Sequence, residues 1–351
     1  MFALRWLHRW IGLAVLPLFL LACTSGTLLV FQKPLIRLVV TPTAEMPVSY
    51  SIDQLAIELE QLVQHPLFDT RQLIKAPSVE EPFWSVRGDG KKILLSIGHL
   101  ERYERGQWLI DGLEWLRQFH IELLAGTTGK ILLLIVVLVA LLMCVTGAIV
   151  WWPMRRIYHW SWVLPPRSKW RLRYMIRFHS HSSFTVLPLL MVVLLCAAVM
   201  MWNKVDHALA ATGSKKSSPV LVPQSISPDY VNNIGAALKR AHRALPHSWP
   251  TYIRIQGQNM NHLRVRVRLN GEWHPNGRSS ATVDLQRLEM TEFVRADTQP
   301  FLLRLRNQMY PLHSGYGMSP LYMGLVFIAG LGGIWLSVTG LIALLRRYKL
   351  L

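Results

Sequence analysis

"LHRWIGLAVLP" (Leu7–Pro17) sets a histidine at the mouth of an apolar run, and the same punctuation returns in "FHSHSSFTVLP" (Phe178–Pro188). His8 stands nine residues before Pro17 and His179 nine before Pro188, and both copies read Val-Leu-Pro-Leu at the proline. A second pair of stretches behaves in the same way. "FHIELLAGTTG" (Phe119–Gly129) puts His120 25 residues before the triplet Val145-Thr146-Gly147, and "LHSGYGMSP" (Leu312–Pro320) puts His313 25 residues before Val338-Thr339-Gly340. Each triplet leads, through a short apolar stretch, to an Arg-Arg pair. The chain therefore reads as span, outer segment, span, written twice in the same direction. A parallel repeat of this kind implies a pseudo-two-fold axis along the membrane normal.

Hydropathy supplies the spans. The 351 residues are 51% hydrophobic with a mean hydropathy of +0.26, and the apolar residues come in blocks. A bilayer core needs about 20 apolar residues to cross. Four stretches qualify, near 8–31, 128–152, 180–203 and 320–345, and none holds an acidic residue. Leu20-Leu21-Ala22-Cys23 resembles a lipoprotein cleavage box, but the run continues to Phe31 and three more spans follow. Cys23, Cys144 and Cys196 each sit mid-span, where small apolar packing is the expected role and no disulfide framework or CxxC site forms.

The formal charge of +18 is unevenly placed. All acidic residues fall within about 32–127 and 204–319, whereas the remaining polar pieces are basic: Arg5 and Arg9, a loop from Arg155 to Arg177, and Arg346, Arg347 and Lys349. That asymmetry is the positive-inside pattern, and Trp6, Trp10, Trp151, Trp152, Trp160, Trp162 and Trp170 gather at the same boundary as an interfacial belt. The expected organisation is a first helix over 1–31, an outer domain over 32–127 and a second helix over 128–152. A basic cytoplasmic loop (153–179), a third helix (180–203), a second outer domain (204–319), a fourth helix (320–345) and a cytoplasmic tail (346–351) follow. The charge is accounted for by topology, so nucleic acid is not an expected partner; lipid is.

The outer segments read as small α+β domains. "SIDQLAIELEQLV" (Ser51–Val63) begins with an N-cap and continues at helical spacing. "PFWSVRG" (82–88) and "KKILLSIG" (91–98) flank Asp89-Gly90, a hairpin signal, and "GQWLIDG" (106–112) is expected to add a strand. In the second segment 229–245 reads as a helix, and 251–257, 262–270 and 280–286 as strands. Arg264, Arg266 and Arg268 alternate and so share one strand face. The Ser-, Lys- and Pro-rich stretch 211–228 reads as a linker.

The repeat puts His8 and His179 at the inner ends of spans one and three, and His120 and His313 at the outer ends of spans two and four. One imidazole from each side of an axis between membrane helices is an arrangement that holds a b-type haem by two axial ligands. A polar anchor at the helix mouth is the competing role for any one of these residues. His181 competes with His179 for the inner site, because two residues apart on a helix they point about 200° from one another. His159, His207 and His99 are further candidates, and His65, His242, His247, His262 and His274 read as surface residues of the outer segments. Gly330, Gly332 and Gly333 read as helix-packing positions. No Walker loop, GxGxxG or HxxxH motif is present.

With "LHRWIGL", "FHIELLAGTTG", "RFHSHSSFTVLP", "LHSGYGMSP" and the two helix-plus-hairpin segments in place, the chain resembles the PepSY-associated transmembrane family over essentially its whole length. The resemblance implies two periplasmic PepSY-like domains and an inner-membrane ferric-siderophore reductase holding two haem b groups. Its inner ligands would be His8 and His179 and its outer ligands His120 and His313. Ser183 stands where the repeat places Gly12, and Ser-His-Ser where it has Arg-Trp-Ile, which leaves His181 as an alternative inner ligand. No nucleotide-binding motif supplies electrons, so the donor is expected to be external, a quinol or a separate reductase. The basic face of Arg264, Arg266 and Arg268 would favour an anionic chelate. From His8 to the outer end of its span lie about 21 residues, roughly 32 Å of helix, a long gap for electron transfer. Two other classes of function fit the same architecture: an iron-chelate permease without redox chemistry, and a non-catalytic sensor or binding module.

Overall fold

The computed structural model describes residues 2–69, 72–88, 90–153, 172–213, 228–257 and 260–349. In chain order these form α1 (Phe2–Leu29), α2 (Gln32–Val39), α3 (Ile52–Val63), β1 (Leu73–Lys75), β2 (Trp84–Gly88), β3 (Lys91–Leu95), α4 (Gln107–Glu122), α5 (Gly126–Trp151) and α6 (Leu172–Gly213). There follow α7 (Pro228–Val231), α8 (Ile234–Ala244), β4 (Ser248–Gln256), β5 (His262–Leu269), β6 (Ser279–Asp284), β7 (Met290–Val294), α9 (Phe301–Asn307), α10 (Met309–Ser314) and α11 (Pro320–Arg347). Most of the expected basic loop, with His159, and most of the 211–228 linker lie outside the described residues. The chain divides into two compact units, one of Met1–Phe31, Leu116–Ser214 and Met309–Leu351, the other of Gln32–Trp115 and Lys215–Gln308.

The first unit is a helical bundle. Four of its helices, α1, α5, α6 and α11, are long and apolar enough to cross a membrane, so the chain is a multi-pass membrane protein. α1 packs on α5 and α11, and α6 packs on the same two. Pro17 and Pro188 both lie inside their helices. Small residues set the spacing: a Cβ on Gly333 would come within 2.6 Å of Cys23 Sγ, and Cβ atoms on Gly330 and Gly332 would collide with Thr27 and Val186. These three glycines of α11 are therefore packing positions against α1 and α6, as close membrane-helix contacts require. All three cysteines are free thiols.

The second unit is a seven-stranded antiparallel sheet in the order β3-β2-β1-β4-β5-β6-β7. The two expected α+β segments thus share one sheet. β1, from the first, pairs with β4, from the second, through Ile74↔Ile253 and Lys75↔Tyr252. α3 and α8 cover one face, where Leu55, Leu59, Leu62, Ile234, Leu238 and Ala241 meet Ile74, Trp84, Ile253, Val265 and Val283, all buried. Ser51 caps α3 in a full capping box with Gln54. Glu58, buried beneath α3, accepts from Trp84 Nε1 (2.6 Å), Tyr50 OH (2.9 Å) and the Gly98 N–H (3.0 Å). Burial and this carboxylate push the Tyr50 phenol up. β2 and β3 close at Gly88↔Lys91, a two-residue turn with Gly90 at φ +75°, as the hairpin signal requires.

One element differs in kind. Residues 106–112 form the start of α4 rather than a strand. Gly106 (φ +78°) precedes the helix, and Ile110, Leu113 and Glu114 are buried at helical spacing while Trp108 is exposed. The short window 106–112 cannot distinguish the two periods; the pattern resolves only when followed to Glu122. α4 consequently carries His120, and α10 carries His313, so both histidines sit on helices preceding the spans rather than on the spans themselves.

Candidate functional site: paired histidines in the helical bundle

The helical unit assembles the four histidines into two levels. At one level, His8 of α1 meets Thr146 of α5, with Nδ1 to Oγ1 at 2.9 Å, and His179 of α6 meets Thr339 of α11 at the same 2.9 Å. The glycine after each threonine makes room for the ring. A Cβ on Gly147 would lie 3.2 Å from His8 Cε1, and one on Gly340 3.3 Å from His179 Cε1. The duplicated Val-Thr-Gly triplet is therefore a histidine seat, with Thr for the hydrogen bond and Gly for clearance.

At the other level, His120 and His313 face each other with ring centroids 6.2 Å apart and planes 28° from parallel. His120 Nδ1 lies 3.0 Å from Ser25 Oγ on α1, and a Cβ on Gly26 would come 2.9 Å from its Cε1. His313 Nδ1 lies 3.0 Å from the Val193 carbonyl of α6. Because His120 packs on Gly26, the two levels are separated along α1 by 18 residues, from His8 to Gly26. At a rise of 1.5 Å per residue this is about 27 Å, shorter than the span-length gap that the sequence suggests.

Proton counting assigns a tautomer to each ring. A hydroxyl has one proton to donate. Thr146 Oγ1 donates to Leu142 O (2.9 Å), Thr339 Oγ1 to Trp335 O (2.9 Å) and Ser25 Oγ to Leu21 O (2.8 Å). Each hydroxyl must therefore accept from its histidine, whose proton lies on Nδ1. The Val193 carbonyl can only accept, so His313 has the same tautomer. In all four rings Nε2 then carries the lone pair, the state in which a neutral imidazole ligates a metal while its other nitrogen is held by an outer partner.

His181 has the opposite tautomer. The indole N–H of Trp151, a donor only, points at His181 Nδ1 at 3.3 Å. The His181 proton is thereby placed on Nε2, and the ring is 1% exposed against Trp151. His179 and His181, two residues apart on one helix, thus play different parts, and of the two only His179 presents a free Nε2 lone pair. His99 and His207 are exposed. Among the described residues no group of three or more His, Cys, Asp or Glu side chains gathers to hold a bare metal ion.

The arginines of β5 lie in the sheet unit, on the face away from α3 and α8. Arg264 is exposed opposite Arg254, Arg266 lies over Tyr252, and Arg268 reaches Glu80 (3.7 Å) and the Glu272 carbonyl (3.2 Å). His274, expected at the surface, is 2% exposed. Its Nδ1 accepts from the Asn276 N–H at 3.1 Å, and burial, followed by the charges of Arg278 and Arg266, pulls its pKa down to about 3.

The threonines and Ser25 are the site residues that sequence reasoning did not assign. The repeated Val-Thr-Gly triplet was the available signal for two of them. Ser25-Gly26 has no counterpart, because the second copy reads Cys196-Ala197. No curated protein matches the chain significantly. The family described as the PepSY-associated TM region matches residues 5–347, a range that takes in all four spans, the shared sheet and both levels of histidines, and the chain is a member of that family.

Proposed function

We propose that this protein is an inner-membrane reductase that uses two haem b groups to pass electrons to ferric-siderophore and related ferric chelates in the periplasm. The observation that carries the reading is the arrangement of four buried or half-buried histidines in two pairs, each ring held through Nδ1 by a hydroxyl or a carbonyl, which leaves Nε2 as the nitrogen that could ligate. Two imidazoles per level suit a metal whose other four ligands come from a macrocycle. His120 and His313, their ring centroids 6.2 Å apart, are the residues that would hold the group at that level. The repeated His–Thr seats support two halves related by a pseudo-two-fold axis, and the basic distribution supports cytoplasmic termini and a periplasmic sheet unit.

Haem held at the two levels would supply one-electron transfer across the bilayer. The chain's own residues do the rest. Thr146, Thr339, Ser25 and the Val193 carbonyl accept the Nδ1 protons, keeping the rings neutral and oriented, and the apolar helices exclude water. The substrate iron takes one electron from an external donor, a quinol or a separate reductase. Fe(III) becomes Fe(II), which hard oxygen donors hold far less tightly, and the metal leaves the chelate.

The test is the visible spectrum of the purified protein, oxidised and dithionite-reduced, with a haem-to-protein ratio. About two haems per chain with a bis-histidine reduced spectrum is the expected result. His120→Ala and His313→Ala should each remove one haem equivalent and abolish ferric-chelate reduction. A colourless protein from haem-replete cells would leave the permease or sensor reading in its place.

A further inference from the structure

The sheet unit carries an arginine patch that its own acidic residues do not neutralise. β5 sends Leu263, Val265 and Val267 into the core and Arg264, Arg266 and Arg268 to the other face. Strand register places Arg266 beside Tyr252 and Tyr252 beside Lys75. The Arg266 guanidinium carbon lies 5.8 Å, and Lys75 Nζ 6.0 Å, from the centroid of the Tyr252 ring, so two cations flank one phenol. Arg278 enters the same neighbourhood. Burial, and then the charge of Arg266, pull its guanidinium down to about 10.

Two features separate this patch from a solvated basic surface. Arg254 and Arg264 stand directly opposite one another across β4 and β5, an arrangement that destabilises a sheet. Arg278 Nε is buried without a hydrogen-bond partner among the described residues, and such a donor costs stability until an acceptor satisfies it. Against five arginines (Arg254, Arg264, Arg266, Arg268 and Arg278) the nearby carboxylates are Glu80, paired with Arg268, Glu272, which burial pushes up, and Glu81, which Lys75 and Lys33 take. By contrast the groove of about 480 Å³ between α3 and α8, lined by Lys239, Arg240, Arg243 and Glu60, has a counter-ion in place, since Lys239 pairs with Asp53 at 2.7 Å.

We infer that the face formed by Arg266, Arg278, Arg268, Tyr252 and His274 binds an anionic ligand through carboxylate-type oxygens, and that the ferric chelates this protein handles are those carrying net negative charge. Planar guanidinium forks match carboxylate pairs. The substrate class rests on the reductase reading; the anion site does not.

The experiment uses the full-length protein in detergent and two probes, ferric citrate, which is anionic, and tris(acetohydroxamato)iron(III), which is neutral. Equilibrium binding should favour ferric citrate by at least tenfold. The double substitution Arg266→Gln with Arg278→Gln should weaken citrate binding at least tenfold, the loss expected when charge-assisted hydrogen bonds are removed, and leave the neutral complex unaffected. The corresponding lysine pair should recover part of the loss, with haem content and melting temperature unchanged. Equal affinity for the two probes, or a glutamine variant that binds citrate as before, would overturn the site. So would a loss confined to phosphatidylglycerol vesicles, which would assign the patch to lipid headgroups. If the double variant fails to fold, Arg268→Gln and competition by free citrate on the intact protein test the same point. Binding does not require haem, so the two proposals can fail separately. A colourless protein that still binds citrate through these arginines keeps the site and loses the reductase. A haem-loaded protein that binds the two probes equally keeps the reductase and loses the site.

Discussion

Thr146 and Thr339 each do two things with one oxygen: the hydroxyl proton is spent on the carbonyl four residues back, and the lone pair receives a histidine. Valine at either position keeps the shape and removes the acceptor. Outer partners of metal-bound histidines typically contribute about 10–100-fold in affinity. On the two-haem reading, Thr146→Val or Thr339→Val is therefore expected to weaken haem retention by about that factor, and serine to restore it, measured by haem loss to an apoprotein acceptor. Retention equal to wild type in the valine variants would show that the hydroxyls do not orient the rings. The neighbouring pair His179 and His181 offers a cleaner division. On the same proposal, His179→Ala should lose one haem equivalent, and His181→Ala should keep both, because the Trp151 indole already occupies the His181 nitrogen that would need the proton. Neither threonine could be assigned from sequence, since each lies well over a hundred residues from its histidine. The histidines themselves were legible because the repeat prints them twice at constant spacing.

At the level of elements, the segment joining α4 to α5 stores strain. Leu123 and Leu124 are consecutive residues at φ +51° and +57°, a region that costs an L-residue about 1–2 kcal/mol. Leu123 packs into the bundle beside Leu133 and Met201, whereas Leu124 is exposed. Leu124→Gly is thus expected to raise stability by about 1 kcal/mol, and Leu123→Gly to gain less or lose, as thermal unfolding in detergent would register. The spans, the capped helix α3 and the hairpin at Gly90 were all readable from local pattern. β1 has three residues and β7 begins with a register shift, and neither is long enough to display a period. The α4 misreading has the same origin, a seven-residue window that suits both periods until its continuation decides.

For the whole molecule, His274 sets an acid limit. Its folded pKa of about 3 lies below the ordinary value of 6.5, so the unfolded chain takes up a proton that the folded sheet refuses. Stability is retained above pH 6.5 and falls as the pH drops from there toward 3, by up to about 1.4 kcal/mol per unit from this group. His274→Gln should flatten that part of the pH–stability curve without altering the neutral plateau. An unchanged slope would show that His274 can be protonated in place.

The seam between β1 and β4 also imposes an order of events on biogenesis. Ile74 and Ile253 pair although they lie 179 residues apart in the chain, and both α5 and α6 are synthesised between them. Until the second half has been synthesised, β1 has no neighbour on one side, and an unpaired strand edge invites association with other chains. The first half of this protein is thus an unfinished sheet waiting for its complement during translation. A chain stopped after α5 should be recovered as aggregate or degraded, and co-expression of the missing half should rescue it.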